Sequence, residues 1–392
     1  MPSRLRLTLG LSRSIGTRER LSSRLGLPYF RDPEEMQVLF PRSRRARLLV
    51  GSVALTTVLA ACTTDPADDP TGDPTGGTTS DEQVTLTVYS GRDEELVGTS
   101  FTRFTQATGI NVEVRYAGTA ELASTLLEEG DASPADLYWA QDAGALGAVA
   151  KAGLFSPLPS SILGLVADGN KAVDGSWIGI TGRARTIAYG TETLTEADVP
   201  ASVLDLTDEQ WQGRVGWAPG NGSFQAFITA MRVELGEEAT RQWLVDMIAN
   251  GAQEYPSNSN IVEAIGRGEV DLGLVNHYYL FRFLDEDPDF PVAQVFPRGD
   301  VGGMLNVAGV GILASTEHPD EVQQLVEFLL SEEIQGFFSG VREELEYPLR
   351  LGVEAAAELP SLSDLDPPAI DLSDLDDLAG TLAMLQDVGA LE

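Results

Sequence analysis

The chain has 392 residues, of which 26 are basic and 60 acidic, and its formal net charge at pH 7 is −34. Such a charge repels nucleic acids and anionic membrane surfaces, which argues against a protein that binds either one electrostatically. We expect most of the acidic residues to do no more than keep the surface soluble. With one cysteine the chain cannot form an intrachain disulfide, so its hydrophobic core must stabilise the fold.

The first part of the chain has the pattern of an export signal. Four arginines between residues 42 and 47 precede an apolar run of about 14 residues, Leu48–Ala61, which leads to Cys62. This pattern is typical of a secretory signal peptide, and the cysteine resembles the lipobox of bacterial lipoproteins. The alternative, a transmembrane anchor, is disfavoured because a span needs about 20 apolar residues. We expect residues 1–61 to be removed, with Met36 as an alternative start.

Cys62 is then expected to carry a lipid that holds the protein on the outer face of the cytoplasmic membrane. Residues 62–83 are almost entirely Thr, Asp, Pro and Gly after the cysteine, so they are predicted to form a flexible tether. The 331 residues from Cys62 onwards hold 15 basic and 56 acidic side chains. A chain of that length suits two lobes better than one core.

From Val84 onwards, strands and helices are predicted to alternate. Runs of β-branched residues predict strands, amphipathic repeats predict helices, and Gly109 and Gly130 are expected to end the first two helices. The predicted order is strand 84–89, helix 94–108, strand 111–116, helix 120–129, strand 135–139 and helix 143–152. This rhythm indicates an α/β fold with a parallel, doubly wound sheet.

A second α/β unit is predicted to follow residue 177. Its elements are an extended segment 177–189, strand 213–219, a helix after residue 223, a short helix with a capping-box-like pair at Asn260 and Glu263, strand 270–275, a helix from 280, strand 305–313 and helix 321–338. Extended segments near 180–188 and 304–313 are expected to cross between the units as a hinge. We expect residues 84–180 with 304–345 to form one lobe, 181–303 the other, and 346–392 a C-terminal surface segment of short helices.

Two units joined by crossing segments predict the two-lobe shape of a solute-binding protein. In such a protein the ligand binds outside the carboxyl ends of the strands, where they face the cleft. Tyr278 and Tyr279 follow the strand 270–275, at a predicted strand-to-helix turn where both phenol oxygens can converge. A phenol has a pKa near ~10, and a hard trivalent cation such as Fe³⁺ can deprotonate it. The alternative is that the two tyrosines only pack in the core.

Further polar residues follow other strands. Asp93 and Asp142 either face the cleft or cap the next helix. Arg183 and Arg185 lie in an otherwise apolar crossing and need a structural carboxylate or a bound anion as their partner, because an unpaired buried guanidinium is costly. A turn before a helix offers N–H groups and a hydroxyl to an anion. That turn consists of Asn221, Gly222 and Ser223.

Catalytic motifs are scarce in this chain. It has two histidines, His277 and His318, and it lacks a phosphate-binding loop, zinc-ligand spacing and a GxSxG motif. A secreted hydrolase would have to use His277 as its catalytic histidine, because His318 is predicted to lie on the surface.

These segments together resemble a known family, the substrate-binding lipoproteins of ferric-iron ABC transporters, whose fold is the type II periplasmic-binding-protein fold. The resemblance rests on five short motifs: Tyr-Ser-Gly-Arg at 89–92, Ala-Asp-Leu-Tyr at 135–138, Gly-Arg-Ala-Arg at 182–185, Asn-His-Tyr-Tyr at 276–279 and Glu-Tyr-Pro at 346–348. The motif with two adjacent tyrosines is the most specific of them.

The resemblance implies that Tyr278 and Tyr279 are iron ligands. It also implies that Arg183 holds a synergistic anion such as carbonate, beside the turn at 221–223. Many members have a histidine ligand where this chain has Asp93, which is a chemically sensible oxygen donor. Further departures affect the rest of the ligand set: Ala140 replaces a glutamate, with Asp142 two residues on, and Ser223 and Phe224 replace a third tyrosine.

We therefore expect a non-enzymatic, monomeric lipoprotein that captures Fe³⁺ between two lobes, with Asp93 and Asp142 as carboxylate ligands. It would deliver the ion to an ABC permease that has a cytoplasmic ATPase. The alternative is the same fold binding an anion such as phosphate, a phosphonate or a carboxylate. A secreted hydrolase is the remote alternative.

Overall fold

The computed structural model describes residues 83–341 and 345–391, and all of these belong to one unit of the chain. The expected signal peptide, Cys62 and nearly all of the tether lie outside the described residues. The strands are β1 (Thr85–Ser90), β2 (Asn111–Tyr116), β3 (Leu137–Ala140), β4 (Ile178–Gly190), β5 (Val215–Trp217), β6 (Gln253–Glu254), β7 (Leu272–Asn276), β8 (Val292–Val295), β9 (Leu305–Ile312) and β10 (Tyr347–Pro348).

The α-helices alternate with the strands over most of the chain. They are α1 (Glu94–Thr108), α2 (Thr119–Glu129), α3 (Ala143–Lys151), α4 (Ser160–Leu163), α5 (Gly222–Leu235), α6 (Glu237–Ala249), α7 (Asn258–Gly266), α8 (Tyr278–Glu286), α9 (Pro319–Leu329), α10 (Glu332–Ser339), α11 (Leu362–Leu365) and α12 (Leu378–Asp387). In the described part of the chain, none of these helices has the length and apolar character that a membrane span requires.

The sheet has the strand order β2-β1-β3-β9-β4-β7-β5-β6, and β8 and β10 also pair with β4. Strands β1, β2 and β3 are parallel to one another, as the alternating pattern predicts. The prediction of a wholly parallel sheet is wrong, however, because β9 runs antiparallel to both β3 and β4. The fold is therefore a mixed α/β fold in which the long strand β4 lies near the middle.

Strand β4 takes part in both halves of the sheet. Its first half, up to Ala184, pairs with β9, whereas Arg185–Tyr189 pairs with β7. All thirteen residues of β4 are buried, which explains why its sequence reads as a long extended run with little alternation. The change of partner falls within the segment 180–188 that was expected to cross between the units.

Local sequence signals explain the helix boundaries well near the N-terminal end of the fold. Helix α1 buries Val97, Phe101 and Phe104, which repeat at helical spacing. The helix ends at Gly109, which has a φ of 78° and donates its N–H to the Thr105 carbonyl oxygen. Glycine adopts this left-handed conformation without the steric cost that a side chain would cause.

Three helix predictions need correction. The predicted helix 321–338 is two helices, α9 and α10, because the Ser331 side chain caps the second by accepting from the Ile334 N–H. Helix α7 is capped by Ser257, three residues before the expected Asn260. Helix α6 (Glu237–Ala249) was not predicted.

The C-terminal segment does more than cover the surface with short helices. Glu346, Tyr347 and Leu349 are buried, and so are Leu372, Leu375 and Leu385 further on. The segment 372–376 packs on α3, where the Gly147 Cα faces the Ser373 carbonyl group, and α12 packs on α5. The end of the chain is therefore part of the core.

Candidate metal-binding site

The two adjacent tyrosines form the first two residues of helix α8. Strand β7 ends at Asn276, His277 precedes the helix, and Tyr278 and Tyr279 begin it. Both side chains are buried, and their ring centroids lie 4.4 Å apart with 30° between the ring planes. The Arg282 guanidinium carbon lies 5.3 Å from one ring centroid and 4.9 Å from the other. The structure thus brings both phenols together at the carboxyl end of a strand.

His277 fixes the start of this helix. Its ring is fully buried, Nδ1 accepts from the Ala184 N–H at 3.2 Å, and Nε2 donates to the Leu345 carbonyl oxygen at 2.9 Å. Burial lowers the pKa of His277 to about 4, so the ring is neutral at physiological pH. Because both ring nitrogens contact the backbone, this histidine positions the helix and does not act as a catalytic base.

A polar cluster surrounds the turn that precedes α5. The Asn221 side chain accepts from the Ser223 N–H at 3.0 Å, and Asn258 donates to both Asn221 Oδ1 and Ser223 Oγ, at 3.1 and 3.2 Å. Asn258 Oδ1 also accepts from the Asn276 N–H at 3.1 Å. The cluster therefore joins the turn at 221–223 to the strand that leads into the tyrosine pair.

Arg185 is the arginine that contacts this cluster. Its Nη1 donates to Ser223 Oγ at 3.1 Å and to Asn276 Oδ1 at 3.3 Å, while Nη2 donates to the Leu274 carbonyl oxygen at 3.2 Å. The family resemblance implied Arg183 as the arginine beside the turn, and no sequence pattern pointed to Asn258. Pairing between β4 and β7, which places Arg185 opposite Asn276, is the signal that the sequence alone does not carry.

Arg183 contacts Gln141 and Glu346, which do not belong to this polar cluster. Its Nη2 donates to the Gln141 carbonyl oxygen, and its Nε lies 3.7 Å from Glu346 Oε1. The same carboxylate oxygen accepts from Arg92 Nη2 at 2.9 Å. Burial alone would raise the pKa of Glu346, but Arg92 and then Arg183 outweigh it and hold that pKa below its ordinary value.

The two candidate carboxylates have different surroundings. Asp142 caps α3, and its Oδ1 accepts from the Ala145 N–H at 2.9 Å. Burial raises the pKa of Asp142, while the Ala145 hydrogen bond and the charge of Arg183 oppose that change. Asp93 directly precedes α1 and is exposed. Of the two alternatives for Asp142, facing the cleft or capping a helix, the structure shows the cap.

Carboxylate, histidine and cysteine clusters do not supply a metal site in the described residues. Within 83–341 and 345–391, no three such side chains come close enough together to hold a metal ion. The donors that the fold does bring together are the phenols of Tyr278 and Tyr279. Phenol oxygens suit hard cations of high charge, provided that the cation displaces the phenol protons.

Comparisons with known proteins agree with this fold. Residues 99–366 match the family described as bacterial extracellular solute-binding protein. The Fe(3+)-binding periplasmic protein of Serratia marcescens is 33% identical over 293 residues, which cover 74% of this chain and 86% of that protein. The major ferric iron-binding protein of Neisseria meningitidis serogroup A is 31% identical over 312 residues, which cover 78% and 92%.

Solved structures give the same result. Iron-bound HitA from Pseudomonas aeruginosa is 36% identical, and its crystal structure matches with a TM-score of 0.69 over 78% of this chain and 99% of that chain. Such neighbours are type II periplasmic binding proteins, which have two lobes and are not enzymes. The chain therefore belongs to the bacterial extracellular solute-binding proteins and, among them, to the family of ferric-iron-binding proteins.

Proposed function

We propose that this protein binds Fe³⁺ in the cleft between its two lobes and delivers the ion to an ABC importer in the cytoplasmic membrane. The observation that carries the proposal is the close pair of tyrosines, Tyr278 and Tyr279, at the carboxyl end of β7. They are suitable ligands for Fe³⁺, which is hard enough to hold them as phenolates.

Carboxylates complete the proposed ligand set. Asp93 is exposed at the end of β1, where it can approach an ion when the lobes close. Asp142 would contribute its second carboxylate oxygen, since Oδ1 caps α3. Rotation of the lobes about β4 would bring these oxygens toward the tyrosines, because β4 is shared by the two halves of the sheet.

The proposed seat of the synergistic anion has two parts. Arg183 supplies a buried positive charge, and the turn of Asn221, Gly222 and Ser223 lies at the start of α5, where the helix dipole favours an anion. Arg185 holds this turn through Ser223. An anion such as carbonate in this seat would offset part of the charge of Fe³⁺.

The proposed setting is the outer face of the cytoplasmic membrane. A lipid on Cys62 and the tether of residues 62–83 would keep a monomeric binding protein beside its permease and the cytoplasmic ATPase. Metabolic labelling with a radioactive fatty acid tests this anchor, and a Cys62→Ala variant that still takes up the label would contradict it.

The iron proposal predicts a visible absorption band. Addition of Fe³⁺ to the purified protein should produce a phenolate-to-iron charge-transfer band, and Tyr278→Phe should lose most of it. Tyr255→Phe is the matched control because Tyr255 follows β6 and packs against the same hydrophobic cluster as the pair without belonging to it. A protein that stays colourless, or a Tyr278→Phe variant that keeps the full band, would contradict the proposal.

A further inference from the structure

Two buried arginines share one carboxylate oxygen at the hinge. Glu346 Oε1 lies 2.9 Å from Arg92 Nη2 and 3.7 Å from Arg183 Nε, and the Glu346 side chain is only 1% exposed. Arg92 lies in the turn after β1, whereas Arg183 lies on the crossing strand β4. Two guanidinium groups buried this close together need a shared anion, because each charge is costly to remove from water.

The backbone around Glu346 holds this carboxylate in place. The following residues form β10, in which Tyr347 and Pro348 pair with Gly182 and Thr181 of β4. The preceding residue, Leu345, has a φ of 40° and accepts from His277 Nε2 at 2.9 Å. A left-handed leucine is strained, and such strain persists only where the surrounding contacts fix it. The segment therefore delivers Glu346 to the hinge in one defined position.

The two contacts that Glu346 makes with arginines differ in length and strength. The 2.9 Å contact with Arg92 is a charge-assisted hydrogen bond, whereas the 3.7 Å contact with Arg183 is a looser ion pair. Arg183 is thus the arginine whose interaction with Glu346 an incoming anion can weaken at smaller cost. Any anion that approaches Arg183 also meets the negative charge of Glu346, which opposes its binding.

We propose that Glu346 is a built-in competitor of the synergistic anion, a carboxylate that balances Arg183 while no anion is bound and thereby limits the affinity for the anion. This inference rests on the proposed role of Arg183 as the anion seat. Glu346 would thereby affect specificity. Its charge lowers the affinity of Arg183 for an anion alone, so that an anion binds tightly only together with Fe³⁺.

Calorimetric titration of inorganic phosphate into the iron-free protein tests this role. Glu346→Gln removes the competing charge while keeping the size of the side chain, and it should bind phosphate at least ~10-fold more tightly than the wild type. Glu333→Gln is the matched control, because Glu333 pairs with Arg103 at 3.1 Å on the surface and its loss changes the net charge equally. Equal affinity in Glu346→Gln and the wild type, or an equal gain in the control, would overturn the inference.

Two further measurements keep the test decisive if Glu346→Gln does not fold. The double variant Glu346→Gln with Arg92→Gln removes one charge of each sign and should still gain phosphate affinity. Crystal structures of the wild type with and without phosphate should show the distance from Arg183 Nε to Glu346 Oε1 increasing beyond 3.7 Å when the anion is bound. An unchanged distance with phosphate on Arg183 would contradict the competition.

The outcome for iron is separate from the outcome for phosphate. A wild-type protein that binds no Fe³⁺ would refute the proposed function, whatever phosphate does. Normal iron binding combined with an unaltered phosphate affinity in the variants would refute only the role of Glu346.

Discussion

Lowering the pH should destabilise the protein through His277. The ordinary pKa of a histidine is 6.5, and burial lowers that of His277 to about 4 because the charged ring would lose its hydration. The unfolded chain therefore takes up a proton at a higher pH than the folded chain does. The stabilising contribution of the neutral ring is complete above pH 6.5 and disappears as the pH falls toward 4. The difference in pKa corresponds to about 3 kcal/mol.

Urea unfolding between pH 4.5 and 8 measures this contribution. His277→Gln retains a hydrogen-bond donor but no ionisable ring, so its free energy of unfolding should depend less on pH than that of the wild type. The difference in free energy of unfolding between the wild type and His277→Gln should decrease by roughly 2 kcal/mol from pH 7 to pH 5. His318→Gln is the control, because His318 is the only other histidine in the sequence and its hydrogen bond to Thr316 Oγ1 is made by the backbone N–H, which the substitution keeps. Parallel curves for wild type and His277→Gln would refute the reasoning.

Two further substitutions test the packing and the anion seat. Gly147→Ala places a Cβ against the Ser373 carbonyl group and should lower the free energy of unfolding by about 1–3 kcal/mol. Gly169→Ala is the control, because open space surrounds Gly169, and it should cost far less. Equal costs for the two substitutions would contradict the close approach of Gly147 to Ser373. Arg185→Gln removes a charged donor from Ser223 and should weaken phosphate binding about tenfold, which calorimetry measures. Arg214→Gln, whose partner is Asp271, is its control, and an equal loss there would show a general charge effect.

Much of the fold follows from local patterns in the sequence. The bounds of α1 and β2 agree with their predictions because strong amphipathic and alternating patterns meet at Gly109, a residue suited to the left-handed turn. The antiparallel placement of β9 could not be predicted, since it depends on which strands become neighbours in space. The break between α9 and α10 was missed because the apolar pattern continues across the Ser331 cap.

In the candidate site, too, local sequence patterns identify some residues, whereas others are recognised only from contacts in space. Tyr278 and Tyr279 could be found from sequence because they are adjacent and follow a strand. Asn258 and Asn221 are in contact although they lie 37 positions apart in the sequence, and Glu346 and Arg92 lie 254 positions apart. Such pairs leave no local periodicity, so only the packed structure reveals that they share a site.

The contact between Arg92 and Glu346 also has a consequence for biosynthesis. A ribosome adds Arg92 and Arg183 long before Glu346, and 254 positions separate the first arginine from the glutamate. Until that point the nascent polypeptide has two arginines but not the carboxylate that permits their burial. Burial of the two arginines must therefore wait until the ribosome has added Glu346, and a chain that ends before residue 346 cannot complete this cluster. The late position of this one glutamate thus makes synthesis through residue 346 a condition for burying both arginines.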